Sequence, residues 1–531
     1  MSMNKRVVEI LDTTLRDGAQ GEGVSFSVND KLQVLDALVG FGIRYIEAGN
    51  PGSNPKDRAF FSQIAERKPE MGHSVLAAFG STRRKDTKPE DDPGLADLLS
   101  AETRTVVVFG KVWDVEVHEN LCCSLEENLA MIRESIAYLC ARGREVIFDA
   151  EHYFEAAQDN PDYTEACLRA ACEGGAVVLC LCDTNGAVMP EEVSRRTAAA
   201  VQAFPNVKIG IHCHNDSGVA VANSIAAVLA GADHVQGTFN GIGERCGNAN
   251  LSTIIANLQL KYSITCVPDE YMTKLTPTAR WMAEIANITL PNGEPFVGLS
   301  AFSHKAGMHV DGVKKNPDTF EHISPEAVGN NRRFLISEMS GRSAIMEMIQ
   351  RIKPDIEKDA PEVGRVLEKL KEMEHQGYHF EGAEASQELL VCKELGLYKP
   401  FFSLEKMRIS SEQPQVGEYS AHTYIKILVD GVTEVTAAEG EGPVNAMDRA
   451  LKKAMEVFYP ELIHVRLTDY KVRVLNAEAT ASQVRTLIES TDGHRVWHTV
   501  GVSTDILEAS WQALVDSLEY KLMRKELGWE E

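Results

Sequence analysis

The 531-residue chain has no unbroken apolar run long enough to cross a bilayer, so no segment reads as a transmembrane helix. Its first residues, MSMNKRVVEILDTT, move straight into a strand pattern and offer no signal-peptide core or cleavage site. Both absences predict a cytoplasmic protein without a membrane partner. Positive charge is scarce: 54 Lys and Arg stand against 78 Asp and Glu, for a formal net charge of −24. That balance argues against broad nucleic-acid binding and favours solubility, and an anionic cofactor would need a local basic pocket. The 11 cysteines lack zinc-ribbon spacing and any disulfide framework. Adjacent Cys122 and Cys123, and Cys180 and Cys182 within one strand pattern, read as reduced, mostly buried thiols. A dinucleotide fingerprint is also missing, because the first strand runs into LRDGAQGEG.

What remains is the composition of a soluble globular protein, 44% hydrophobic and 25% charged, long enough for two or three domains. Up to about residue 265, short β-branched runs alternate with amphipathic ones. The strand candidates are 7–13, 43–49, 74–80, 105–110, 145–151, 177–184, 208–214 and 234–240. Between them lie helical patterns such as SVNDKLQVLDALVGFG, with Asn29 or Asp30 as its cap. Strands apolar on both faces and separated by helices imply parallel βαβ units, and eight of them match an α/β fold of the (β/α)8 TIM-barrel type over 1–265. A doubly wound sheet is the alternative, with fewer strands. From 266 to 400 the pattern turns helical and more polar, as linking subdomains. Residues 405–531 contain an internal repeat of strand, Asp-Gly turn, strand and helix, around Asp430-Gly431 and Asp492-Gly493, with Pro443 and Thr504 opening the helices. Such a duplicated α+β module, without a His/Cys/Asp cluster, suits ligand binding or dimerisation.

In a barrel of this kind the chemistry sits at the C-terminal strand ends. There the chain brings Asp12, Arg16 and Asp17; Glu47; Glu151 and His152; Asp183 and Thr184; His212 and His214; and Asn240, Glu244, Arg245 and Asn248. His212 and His214 stand two apart in IHCHND, so in a strand both imidazoles point to one side, as ligands for a divalent transition metal. A second dense region, SHKAGMHVDG, holds His304, Lys305, His309 and Asp311, with Lys314 and Lys315 beyond.

Together LDTTLRDGAQGEG (11–23), IHCHND (211–216), NGIGERCGN (240–248) and SHKAGMHVDG (303–312) resemble the 2-isopropylmalate, homocitrate and citramalate synthases, acyl-CoA-dependent Claisen enzymes on a metal-binding barrel. The likeness covers nearly the whole chain. GKVWDVEVH, FDAEHYFE and GYHFEGAEAS resemble the branch that condenses pyruvate with acetyl-CoA to (R)-citramalate. The resemblance implies that Asp17, His212, His214 and Asn248 surround a divalent ion (Mn, Mg, Zn or Co). It implies that Arg16 faces the keto oxygen, that Thr184 meets the substrate carboxylate, and that Glu151 and His309 move the proton of the acetyl methyl group. His304 would contact substrate or orient its loop, with Asp311 in support. Lys305, Lys314, Lys315, Arg332 and Arg333 are candidates for the CoA phosphates. The last domain resembles the family's amino-acid-sensing regulatory domain, with isoleucine as the expected feedback ligand in an isoleucine-forming route and a homodimer as the expected assembly. One departure stands out: where many relatives carry a tyrosine with a part in proton transfer, NPDTF places Phe320. A 2-isopropylmalate or homocitrate synthase is the alternative within the family, and a non-catalytic amino-acid sensor the alternative outside it.

Overall fold

In the computed structural model, which describes residues 6–304, 307–334, 342–357, 360–380, 382–412, 420–475, 482–493 and 495–529, the chain divides into two compact units. The first comprises Met1–Ser303 with Glu321–Arg333; the second comprises His304–Phe320 with Phe334–Glu531. Among the described residues no helix is long and apolar enough to cross a membrane.

Eight parallel strands close the barrel of the first unit in sequence order: β1 (Glu9–Asp12), β2 (Tyr45–Glu47), β3 (Val75–Ser81), β4 (Thr105–Lys111), β5 (Glu145–Glu151), β6 (Val178–Asp183), β7 (Lys208–Cys213) and β8 (His234–Gly237). All eight fall within the expected stretches or one residue beyond them, and β1 closes the barrel by pairing with both β2 and β8. The strands lack the polar alternation of a half-solvated sheet because both faces are covered. In β6 all six residues are buried. One set of alternate side chains, including Val106, Val108, Val146 and Phe148, packs outward against the helices. The other set points inward, with Leu11, Tyr45, Ala77, Val107, Ile147 and Val178 forming an apolar core inside the barrel. Gly110 is required by a close approach, since a Cβ there would lie 2.8 Å from the Phe148 ring. Truncating Phe148, which is fully buried, would cost about 3–5 kcal/mol.

The first helix runs Val28–Phe41, and its cap is Ser27 rather than Asn29 or Asp30. Asp30 is the third residue of the helix and reaches back to the Ser27 backbone, so the polar residue expected as the cap is the other half of a capping box. After β8, the helix Leu275–Ile285 adds Leu275, Ala279 and Met282 to the barrel's outer core.

The second unit opens with helices that include Arg342–Ile352, Pro361–His375 and Glu384–Glu394. Two three-stranded antiparallel sheets follow, Ser403–Glu412 with Ser420–Val429 and Val432–Gly440, then Arg466–Val474 with Val484–Thr491 and Val496–Ser503. Each sheet is followed by a helix, Pro443–Met455 and Ile506–Glu526 respectively, which makes the duplication structural. Ile425, Ile427, Met447, Leu451, Ile488 and Leu514 join both repeats in one core. Asp430 and Gly431 form a two-residue turn with φ of 46° and 80°, between Val429 and its partner Val432. The second Asp-Gly opens a wider turn, because Thr491 pairs with Val496. Its helix starts at Ile506 with Asp505 as the cap, not at Thr504.

Candidate active site

The turn after β1 is wound around the Thr13 carbonyl, which accepts from the backbone N–H groups of Arg16, Asp17 and Gly18. This aims Arg16 and Asp17 at the barrel mouth. The Arg16 guanidinium donates from Nε to Glu47 Oε2 at 2.6 Å and from Nη1 to Asp17 Oδ2 at 3.0 Å. It also lies over the Phe79 ring, 3.8 Å from the centroid. Burial alone would lower its pKa, but Glu47 and Asp17 override that and hold it above the usual arginine range.

Opposite stand the two histidines. Nε2 of His212 is 3.6 Å and Nε2 of His214 is 3.9 Å from Asp17 Oδ2. Asn248 donates to Asp17 Oδ1 at 3.1 Å. Its segment is drawn across the end of β7 by a bridge to His214 and by the Ala249 N–H donating to Cys213. Gly243 permits this, since a Cβ there would meet Asn248 Nδ2 at 2.2 Å. Burial pushes both imidazoles below the ordinary histidine range, which favours their neutral form, whereas the Arg16 guanidinium and the hydrogen bond from Asn248 outweigh burial and hold Asp17 at about 2. One carboxylate and two neutral imidazoles are a donor set for a divalent cation. Among the described residues the buried Asn248 Oδ1 has no hydrogen-bond partner, which leaves a further oxygen donor beside them. The residues present therefore fit a metal ion.

Arg16, Asp17, Glu151, Thr184, His212 and His214 line one cavity of about 250 Å³. Glu151, at the end of β5, pairs with Lys111 at 2.7 Å, and Glu116 holds the same ammonium. Burial would lower the Lys111 pKa, but the two carboxylates raise it. The Thr184 hydroxyl accepts from the His152 backbone N–H at 2.9 Å, and its carbonyl accepts from Arg245 at 2.8 Å. Arg245 is in turn paired with Asp216. Asp12 and Asp183 brace the backbone instead: Asp12 accepts from Thr14, and Asp183 from Ala187. Asn240 donates to the Ala279 carbonyl and holds a helix in place.

Several cavity residues escape a reading of strand ends. Asp149 lies two residues before Glu151 on the same inward face of β5, a spacing that could have pointed to it. Burial pushes its carboxyl up to about 7, and Gln236 donates to it at 2.8 Å. Phe79 and Phe109, stacked with ring centroids 5.3 Å apart, wall the cavity and carry no polar signal that a sequence pattern would reveal.

His304 and His309 belong to the second unit. His304 is buried, with its ring 6.2 Å from that of Phe334. His309, exposed on the helix Gly307–Lys315, has the Phe320 ring 4.5 Å from its own. Asp311 pairs with Lys315 at 2.6 Å, and Lys314 lies 5.6 Å from the Phe334 ring centroid. Arg332 is held by both oxygens of the buried Glu321. Lys305 lies outside the described residues.

A closed parallel barrel with Arg-Asp after its first strand and paired histidines at the end of its seventh defines the class, and the HMGL-like family model matches residues 7–279. Models of the homocitrate synthase post-HMGL domain and of the LeuA allosteric (dimerisation) domain match 296–378 and 381–522. The (R)-citramalate synthase of Aquifex aeolicus is 49% identical over 98% of both chains, and that of Geobacter sulfurreducens is 48% identical over 98% of both. The 2-isopropylmalate synthase of Pyrococcus furiosus is 30% identical over 97% of this chain and 99% of its own. The chain belongs to the (R)-citramalate synthase family.

Proposed function

We propose that the protein condenses pyruvate with acetyl-CoA and water to give (R)-citramalate and CoA. The observation that carries this reading is the convergence of Arg16, Asp17, Glu151, Thr184, His212 and His214 on one small cavity. Asp17, His212 and His214, with Asn248, would hold a divalent ion (Mn, Mg, Zn or Co), which as a Lewis acid polarises the keto group of a bound 2-oxo acid. Arg16 is locked on Glu47 and stands ready as a fixed cation for the alkoxide that develops when the keto carbon is attacked. Thr184, whose oxygen already accepts from His152, keeps its own proton to donate to the pyruvate carboxylate. The stacked Phe79 and Phe109 offer an apolar wall to the pyruvate methyl group.

The acetyl methyl group is a very weak acid, so its proton needs a positioned base. By the family resemblance Glu151 and His309 would be that acid–base pair, with His304 contacting substrate or orienting its own loop. The CoA phosphates fall to the lysines and arginines of 305–333. In the second unit the duplicated module serves as the regulatory and dimerising domain, binding isoleucine as feedback ligand in a homodimer of the cytoplasm. The match of the LeuA allosteric (dimerisation) domain to 381–522 supports that assignment.

Product analysis tests the reading. Purified protein with divalent metal, pyruvate and acetyl-CoA is expected to give (R)-citramalate and free CoA in equal amounts, and the Glu151→Gln variant to lose about 100-fold or more in turnover. CoA release without citramalate would refute it.

A further inference from the structure

Among the described residues a second group of metal-ligating side chains meets in the barrel wall. Asp149 of β5 is the ladder partner of Cys180 on β6, and Cys182, two residues on, is the ladder partner of His212 on β7. Cys180 and Cys182 share the inward face of their strand. One carboxylate oxygen of Asp149 and the two sulfurs all lie within 4.8 Å of one another, and all three residues are buried. Asp149 and Cys182 line the cavity, so an ion entering it would meet two of the three donors. The layer below, at Ile147 and Val178, is apolar and needs no such groups.

We propose that Asp149, Cys180 and Cys182 form a separate cation site in the cavity wall, selective for thiophilic divalent ions such as Zn²⁺ and Cd²⁺. Its donor set, two sulfurs and one oxygen, differs from the two nitrogens and one oxygen of Asp17, His212 and His214. Thiolates select soft ions, whereas carboxylate and imidazole also accept Mn²⁺ and Mg²⁺. The two sites therefore sort ions by chemistry, although β6 and β7 place them side by side. Binding is an exchange of protons for metal: each thiol gives up its proton, the ion forms two M–S bonds and one M–O bond, and two protons leave for solvent. Without an ion the thiols stay protonated. Burial takes Cys180 well above the usual thiol range, and although its hydrogen bond to Cys182 pulls that thiol down, burial leaves it at about 11. The nearby Arg16 offsets part of the negative charge that the loaded site would carry.

Cadmium reports it directly, because Cd–thiolate bonds absorb in the ultraviolet. The full chain, carrying Cys122→Ser and Cys123→Ser to remove the neighbouring surface pair, is first saturated with Mn²⁺ and then titrated with Cd²⁺ above the range in which Asp149 titrates. The expected result is one Cd²⁺ bound, a thiolate charge-transfer band and two protons released, with Cys180→Ser losing the band. Asp149→Asn, which keeps both thiols, should weaken Cd²⁺ at least about tenfold and retain the band at saturation. A band and affinity unchanged by either substitution, or no band in the parent protein, would overturn the proposal.

Discussion

Glu47 holds Arg16 by its side: the fully buried Oε2 accepts from Nε at 2.6 Å and also from the Thr13 hydroxyl, which leaves the Nη face of the guanidinium toward Asp17. The position of the proposed oxyanion-stabilising cation is thus set by a carboxylate from the next strand. Glu47→Gln keeps the shape and removes the charge. Turnover is expected to fall about 100-fold, as for loss of a preorganised stabiliser, and unfolding by denaturant to show a loss of about 3 kcal/mol. Full activity would mean that Arg16 needs no such clamp.

Metal removal should be decisive and reversible. Chelation is expected to abolish condensation, and Mn²⁺ or Mg²⁺ to restore it. In calorimetric titrations His212→Ala should bind Mn²⁺ at least about tenfold more weakly than the parent protein. Unchanged Mn²⁺ affinity would place the ion elsewhere.

The Phe320 ring, at a position where the family resemblance sets the expectation of a tyrosine, packs 4.5 Å from that of His309. On the proposed reading the proton path relies on Glu151 and His309. Phe320→Tyr should then alter turnover by far less than the roughly 100-fold that an acid–base group supplies. A large rise would show that this enzyme works without a group its chemistry needs.

In the second unit His498 is clamped between Glu384 at 3.2 Å and Glu489 at 3.0 Å. Burial would lower its pKa, but the two carboxylates raise it to about 9 from the ordinary 6.5. A raised folded-state pKa means that the stabilisation is complete below about pH 6.5 and is lost as pH rises through about 9. His498→Gln should therefore melt below the parent protein at pH 6, with the gap closing between about pH 6.5 and 9. A gap that stays constant across this range would contradict the clamp.

The barrel was legible because each strand is a short run that is apolar on both faces, and the IHCHND motif because the period of a strand puts His212 and His214 on one side. Local polarity misled at the first helix, where Asp30 completes a capping box begun by Ser27, and at the second Asp-Gly, whose turn is wider than two residues. The spacing of Asp149 from Glu151 puts it on the same inward face, but its partners, like the roles of Lys111 and Phe79, come from strands that close in space. A carboxylate in mid-strand, a lysine paired across strand ends and an aromatic ring under Arg16 look ordinary until β3, β4 and β5 lie side by side.

The cavity lined by Arg16, Thr184 and His212 is expected to select pyruvate as the electrophile. Thiol release from acetyl-CoA, measured as kcat/KM for pyruvate, 2-oxoisovalerate and 2-oxoglutarate with the metal-loaded protein, tests it most directly. Pyruvate is expected to exceed both competitors by at least about tenfold, in line with the 1–3 kcal/mol that a pocket gains by rejecting extra methylenes. A kcat/KM for 2-oxoisovalerate or 2-oxoglutarate equal to or above that for pyruvate would contradict it.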